Sequence, residues 1–222
     1  MLIPSESGNR RERMTGIRIH SGYFQISKNV YNRPYMADIV QRHDPVLRKL
    51  ASEVPPEDIT KPIIKHIIAD MKIALDSQID GVALAAPQIA VPLRIFIISG
   101  KVFNLKRNGE PKDDKDHRYY PDIVFVNPRM VKLSKDKKIM EEGCLSVRYA
   151  YGKTERSTKA TVEAYDANGK KFSKGASGLM AQIFQHEMDH LEGKLFIDNA
   201  FEIKEMPPEH TSDNDDDTQH ES

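Results

Sequence analysis

The chain has 222 residues, 39% of them hydrophobic and 30% charged, and its 33 basic and 33 acidic side chains cancel. That length suits one domain with a substantial core, while the charge balance leaves no basic footprint for nucleic acid and implies no anionic substrate. The single cysteine, Cys144, excludes an intrachain disulfide and fits a reducing compartment, and no apolar run approaches the ~20 residues that span a bilayer.

Residues 1–35 carry six Lys or Arg (Arg10, Arg11, Arg13, Arg18, Lys28, Arg33) against Glu6 and Glu12. They lack the apolar stretch of a secretory signal and read as an N-terminal extension. A dispensable, flexible segment is favoured over an organelle-targeting one. Met36 opens MADIVQRHDPVLRKLA, which reads like a natural start, and a single catalytic domain is expected over 36–205. From Asp58 to Asp76 the residues Ile63, Ile64, Ile67, Ile68, Met71 and Leu75 recur at helical spacing, with Lys61, Lys65 and Lys72 on the other face. After the small-residue segment GVALAAPQIAVP, LRIFII at 93–98 reads as a short buried strand. Residues 101–121 are dense in charge and turn residues and read as a solvated insertion loop. IVFV at 123–126 is a further strand, stopped by Asn127-Pro128. ATVEAYD at 160–166, Asn168-Gly169 and KKFS form a hairpin signal. Residues 176–192 are a second helix, with Gly193 as its stop. The segment 206–222 is polar, acidic and expected to be disordered. The pattern is that of an α+β domain of short strands.

The sharpest chemical signal is His186-Glu187-Met188-Asp189-His190 inside the second helix. Histidines at i and i+4 share a face, about 6 Å apart at Cβ, so both imidazoles can reach one cation. Glu187 rotates to the edge of that face, where it can touch a metal-bound water without being a ligand. The ordinary alternative is a pair of surface histidines on an amphipathic helix. Catalytic sites commonly add a third protein ligand. His210 and His220 lie in the acidic tail, and Glu192 points away from the histidine face. Cys144, within Glu141-Glu142-Gly143-Cys144-Leu145-Ser146-Val147, offers another answer. A lone cysteine is more often a small core residue, but the missing ligand turns it into the leading candidate. Gly143 beside it lets the backbone come close to something bulky.

GVALAAPQ at 81–88, EGCLS at 142–146 and QHEMDHLEG at 185–193 together resemble the three signature segments of the peptide deformylase family, in the family's order. The resemblance extends from Met36 to Phe201. It implies a peptide deformylase-like fold, with short antiparallel sheets around the HExxH helix. It further implies that Cys144, His186 and His190 hold Fe²⁺, for which Zn²⁺, Ni²⁺ or Co²⁺ can substitute, and that Glu187 is the acid/base. Gln88, otherwise read as a surface amide, and the Leu145 N–H would stabilise an oxyanion. Val82, Met140, Leu179 and Ile183 would wall a pocket for a methionine side chain. Gly81, Ala83 and Gly143 would flank the substrate backbone. Asp189 is expected to meet a buried partner such as Arg156, or else solvent. Ala83 stands where the family usually has a second glycine, and Arg148 where many relatives have proline, so no role is carried over beyond Ser146.

The implied reaction removes the formyl group from N-terminal formyl-methionine of nascent polypeptides. The implied setting is the bacterial-type cytoplasm, with the ribosome near its exit tunnel as a possible partner. Two readings compete with it: an HExxH zinc metallopeptidase with an unrecognised third ligand, and a catalytically impaired homologue that binds peptide or ribosome.

Overall fold

The computed structural model describes the backbone of residues 17–20 and 23–26, and residues 38–105 and 120–206 with their side chains. Most of the leading extension, the centre of the 101–121 segment and the tail beyond Met206 lie outside the described residues. Within the extension, β1 (Ile17–His20) and β2 (Tyr23–Ile26) pair as an antiparallel ribbon.

The helix expected from Asp58 begins at Pro62 and forms α1 (Pro62–Asp76), preceded by a 3₁₀ turn at Pro56–Asp58. Its isoleucines, with Met71 and Leu75, pack on one face of a five-stranded sheet, against Leu84, Ile95, Ile97, Val124 and Val126. That sheet runs in the order β3 (Ala83–Ala85), β4 (Ile95–Ile98), β5 (Ile123–Leu133), β8 (Lys159–Tyr165), β9 (Lys171–Ser177). The second helix, α2 (Leu179–Leu191), covers the other face, where Ile183, Phe184 and Leu191 meet Ala83, Phe96, Ile98, Phe125 and Val162. The continuous apolar run of β4 follows from this sandwiching, since both of its faces are buried. Phe96 and Phe125 stack with ring centroids 4.4 Å apart, and Phe184 meets Phe125 edge-on at 5.5 Å.

A three-stranded sheet, β10 (Phe201–Glu205), β7 (Val147–Ser157), β6 (Lys137–Cys144), stands beside α2. All its pairings are antiparallel.

The structure changes three further expectations. β5 does not stop at Asn127-Pro128 but runs on to Leu133 through a register shift between Val126 and Arg129. Asn127 takes a positive φ of 50° there. Its side chain acts as a strand partner for Val54, accepting from the Val54 N–H at 2.8 Å and donating to the Val54 carbonyl at 2.6 Å. A bulge thus accommodates the proline, which has no N–H to give a ladder. α2 starts at Leu179 rather than 176, because β9 continues to Ser177 and Gly178 turns the chain at φ 61°. The start of the 101–121 segment is not wholly solvated, as Val102 is buried and Phe103 packs on the α2 side of the core. Gly193 ends α2 as expected, at φ +70° and 2.9 Å from the Arg48 backbone, measured from where a Cβ would stand.

Candidate metal centre

β6 ends at Cys144, β7 begins at Val147, and the turn between them sets the cysteine against the middle of α2. On α2 the i, i+4 spacing brings the His186 and His190 rings to 4.9 Å between centroids. The potential ligand atoms of Cys144, His186 and His190 all lie within 4.8 Å of one another, the one such group among the described residues. Cys144 Sγ is 3.2 Å from His190 Nε2. The Ser146 N–H at 3.4 Å and the Gln88 side-chain amide at 3.6 Å both point at that sulfur. Glu187 is buried, and its Oε2 meets no hydrogen-bond partner. A soft sulfur, two imidazoles and an unsatisfied carboxylate oxygen facing a cavity fit a divalent cation with an open position.

Behind the histidines lies a polar network of which the sequence suggests only the Asp189–Arg156 contact. Glu142 shares a face of β6 with Cys144, two residues away, and its Oε1 sits 2.6 Å from His186 Nδ1. Arg156 grips the same carboxylate through Nε at 3.0 Å and Nη2 at 2.6 Å, and donates through Nη1 to Asp189 at 2.6 Å. Thr154 Oγ1 donates to Glu142 at 2.6 Å, and Gln182 Nε2 reaches the Glu141 carbonyl at 2.7 Å. The Arg156 partner expected for Asp189 is therefore present. Gln185 fastens α2 to β7 by accepting from the Ser157 N–H at 2.9 Å and donating to its carbonyl at 3.0 Å. Glu192 turns away to Arg94, 2.8 Å distant.

The electrostatics follow from burial and this network. Burial alone would raise the Glu142 carboxyl, but hydrogen bonds from His186 and Arg156 outweigh it and hold the group well below the usual carboxylate range. Burial, reinforced by His186 nearby, pushes His190 well below its ordinary value, which favours the neutral ring that lends a lone pair to a cation. For His186 burial is opposed by Cys144 and Glu142, whose hydrogen bonds push it above its ordinary value. Burial pushes the Glu187 carboxyl up to about 7.

A cavity of about 300 Å³ opens beside Cys144 and His186. Gly81, Val82, Ala83 and Gln88 line one wall, Gly143 and Leu145 another, and Leu179, Ile183, His186 and Glu187 the side formed by α2. Gln88 is fixed in orientation, because its Oε1 accepts from the Ala85 N–H at 2.8 Å and its Nε2 is thereby turned to Ser146 Oγ at 3.2 Å and to Cys144. Leu145 lies in the turn, its carbonyl held by Gln41 Nε2 at 3.1 Å. The bulky neighbour at Gly143 is the Tyr151 ring, whose carbons lie 2.9 Å from where a Cβ would be. Of the expected pocket residues, Met140 alone is absent from the lining. It shares the Glu142 face of β6 but sits one strand step farther from Cys144, paired with Thr154.

Residues 36–206 match the model of the family described as Polypeptide deformylase. The chain is 40% identical over 166 residues to Peptide deformylase 1A, chloroplastic/mitochondrial, of Arabidopsis thaliana, a match covering 73% of this chain and 61% of the relative. It thus spans about three-fifths of that plant protein's length. It is 37% identical over 163 residues to a peptide deformylase of Rhizobium meliloti, covering 72% of this chain and 83% of the relative. Among solved structures it resembles the Met-Ala-Ser-bound class I type b peptide deformylase from Acinetobacter baumannii, with a TM-score of 0.64, 26% identity, and coverage of 74% of this chain and 98% of that one. No helix among the described residues is long and apolar enough to cross a membrane.

Proposed function

The chain belongs to the polypeptide deformylase family, and from that premise we propose that it hydrolyses the formyl group from the N-terminal formyl-methionine of nascent polypeptides. The observation that carries the reading is the gathering of Cys144, His186 and His190 around one point, with a buried, unpartnered Glu187 oxygen beside it.

Cys144, His186 and His190 are the residues that would hold the ion. We favour Fe²⁺, and Zn²⁺, Ni²⁺ or Co²⁺ suit the same sulfur and nitrogen donors. A divalent cation there supplies Lewis-acid polarisation and activation of water near neutral pH. The chain's own residues do the rest. Glu187, with its carboxyl pushed up to about 7, is matched to take a proton from the attacking water and to return it to the departing amine. The formyl carbon gains a bond to oxygen, its bond to nitrogen breaks, and formate and a free α-amino group result. The Gln88 amide, held by the Ala85 N–H so that its Nε2 is turned to Cys144, would donate to the developing oxyanion, and the Leu145 N–H would be the second donor.

Among the described residues β3 pairs only with β4, so its other edge would receive a peptide as an added strand along Gly81–Ala83. Val82, Leu179 and Ile183 offer the methionine side chain an apolar wall next to His186. A thiolate ligand is preserved in a reducing compartment. The bacterial and organellar relatives make the bacterial-type cytoplasm the favoured setting and an organelle the second. Formyl-methionine arises at the start of translation, so nascent chains near the ribosomal exit are the substrate population we expect.

Formate release from a formyl-Met-Ala peptide, followed beside cleavage of an internal peptide bond, tests this reading in wild type and Cys144→Ser. Release of formate by the wild type and its collapse in the variant are expected. Internal cleavage that survives Cys144→Ser would instead support an HExxH metallopeptidase with a different third ligand.

A further inference from the structure

Arg148, Tyr149 and Ala150 have no partner on β6, because the register jumps from Gly143↔Tyr151 to Cys144↔Val147. Tyr149 takes a φ of 62°, a conformation that a bulky residue adopts only under constraint. Such bulges redirect side chains beside functional sites. This one sends Arg148 across the cavity to its opposite wall. Its Nη1 donates to Asp80 Oδ1 and Oδ2 at 3.3 and 3.0 Å, and its Nη2 to Gln78 Oε1. Both Asp80 and Arg148 line the cavity, and their side chains are 58% and 31% exposed.

The position of this bridge relative to the ligands gives it a role. β3 leads at one end into the buried turn Ala86–Ile89 that carries Gln88, so a peptide cannot continue that way. In the other direction the exposed edge of β3 continues from Ala83 through Val82 to Gly81 along the cavity and ends at Asp80, while β6, also an edge strand, approaches the cavity from the Cys144 side. A peptide added along that edge advances about 3.3 Å per residue, so its third or fourth residue arrives beneath the Asp80–Arg148 bridge. An exposed ion pair is weak enough to exchange partners with an incoming charge.

We propose that Asp80 and Arg148 form an exchangeable charge pair that meets the third or fourth residue of the substrate and makes the site indifferent to the sign of its charge. This rests on the deformylase reading. An acidic side chain is received by Arg148 and a basic one by Asp80, while the pair is neutral towards both at a distance. For an enzyme presented with many nascent chains, that arrangement broadens the sequences accepted.

The test measures Kd by titration calorimetry on the metal-loaded protein. The probes are methionyl-alanyl-aspartyl-alanine and methionyl-alanyl-lysyl-alanine amides, together with isomers carrying the charge at the fourth residue. Formate release from the formylated peptides is read in parallel. Wild type is expected to bind the acidic and basic peptides alike. Arg148→Ala should favour the basic peptide by about two- to fivefold and Asp80→Asn the acidic one by a similar factor. The double variant Asp80→Arg/Arg148→Asp should restore indifference. Raised salt should shrink the preferences of the single variants, as expected for exposed charges. Equal acid-to-base ratios in wild type and both single variants would overturn the proposal whatever the formate assay gives. Diverging ratios without formate release would overturn the deformylase reading alone.

Discussion

Glu142→Gln is the substitution whose consequences the network specifies most fully. One carboxylate oxygen faces His186 and Arg156 Nη2, and the other faces Arg156 Nε and Thr154 Oγ1. An amide has one acceptor and one donor end, so in either orientation an N–H₂ group is forced against donors. Removing one partner of a buried pair costs about 3–5 kcal/mol. Arg156 keeps Asp189 at 2.6 Å, so the loss here should fall at about 2–3 kcal/mol. His186 also loses the acceptor that fixes its ring, and loss of such an outer partner typically weakens metal binding about 10–100-fold. Urea unfolding of metal-free protein reads the first effect and chelator competition the second. Because the folded Glu142 pKa is depressed, its stabilisation is present above the ordinary value of 4.5 and lost as pH falls below it. The stability gap between wild type and variant should therefore narrow on acidification. Wild-type metal affinity in a variant that is destabilised as expected would refute the claim that Glu142 orients His186.

Asn127→Ala removes both hydrogen bonds to the buried Val54 backbone and leaves alanine at φ 50°. A loss of about 2–4 kcal/mol in urea unfolding is expected, with Asn127→Gly milder because glycine accepts that φ. Gly193→Ala places a Cβ 2.9 Å from the Arg48 backbone at φ +70°. The left-handed conformation alone should cost about 1–2 kcal/mol, so an unchanged midpoint would mean that the end of α2 is not held as described. Ala83→Gly removes one methyl group from the edge of β3, worth about 1 kcal/mol. Turnover on a formyl-Met peptide should rise less than about tenfold. A rise on the order of several hundred-fold would show that Ala83 disables the site.

The parts of the site fixed by local spacing were the parts legible in the sequence. His186 and His190 share a helix face whatever surrounds them, and Cys144 followed from the lack of a plausible ligand downstream. A signal for Glu142 does exist, since alternate strand residues face the same way and Glu142 lies two before Cys144. Without strand β6 in view that rule had nothing to act on. β6 and β10 are hard to read because both strands are largely exposed, and the inward residues of β6, Met140, Glu142 and Cys144, give no apolar and polar alternation with Ile139, Glu141 and Gly143. Asn127-Pro128 is an ordinary stop signal in the sequence, and only the distant Val54 turns it into a bulge within β5. The Asp80–Arg148 bridge joins residues 68 apart, a pairing that no local pattern encodes.

The measurement closest to the central claim is the rate of formate release by Glu187→Gln, with metal content determined on the same samples, under anaerobic loading with Fe²⁺ and separately with Ni²⁺. If Cys144, His186 and His190 hold the ion and Glu187 moves the proton, the variant should keep its metal and lose about 10²–10⁴-fold in kcat. A metal-loaded Glu187→Gln protein turning over at the wild-type rate would contradict the account, and so would a metal-loaded wild type that releases no formate.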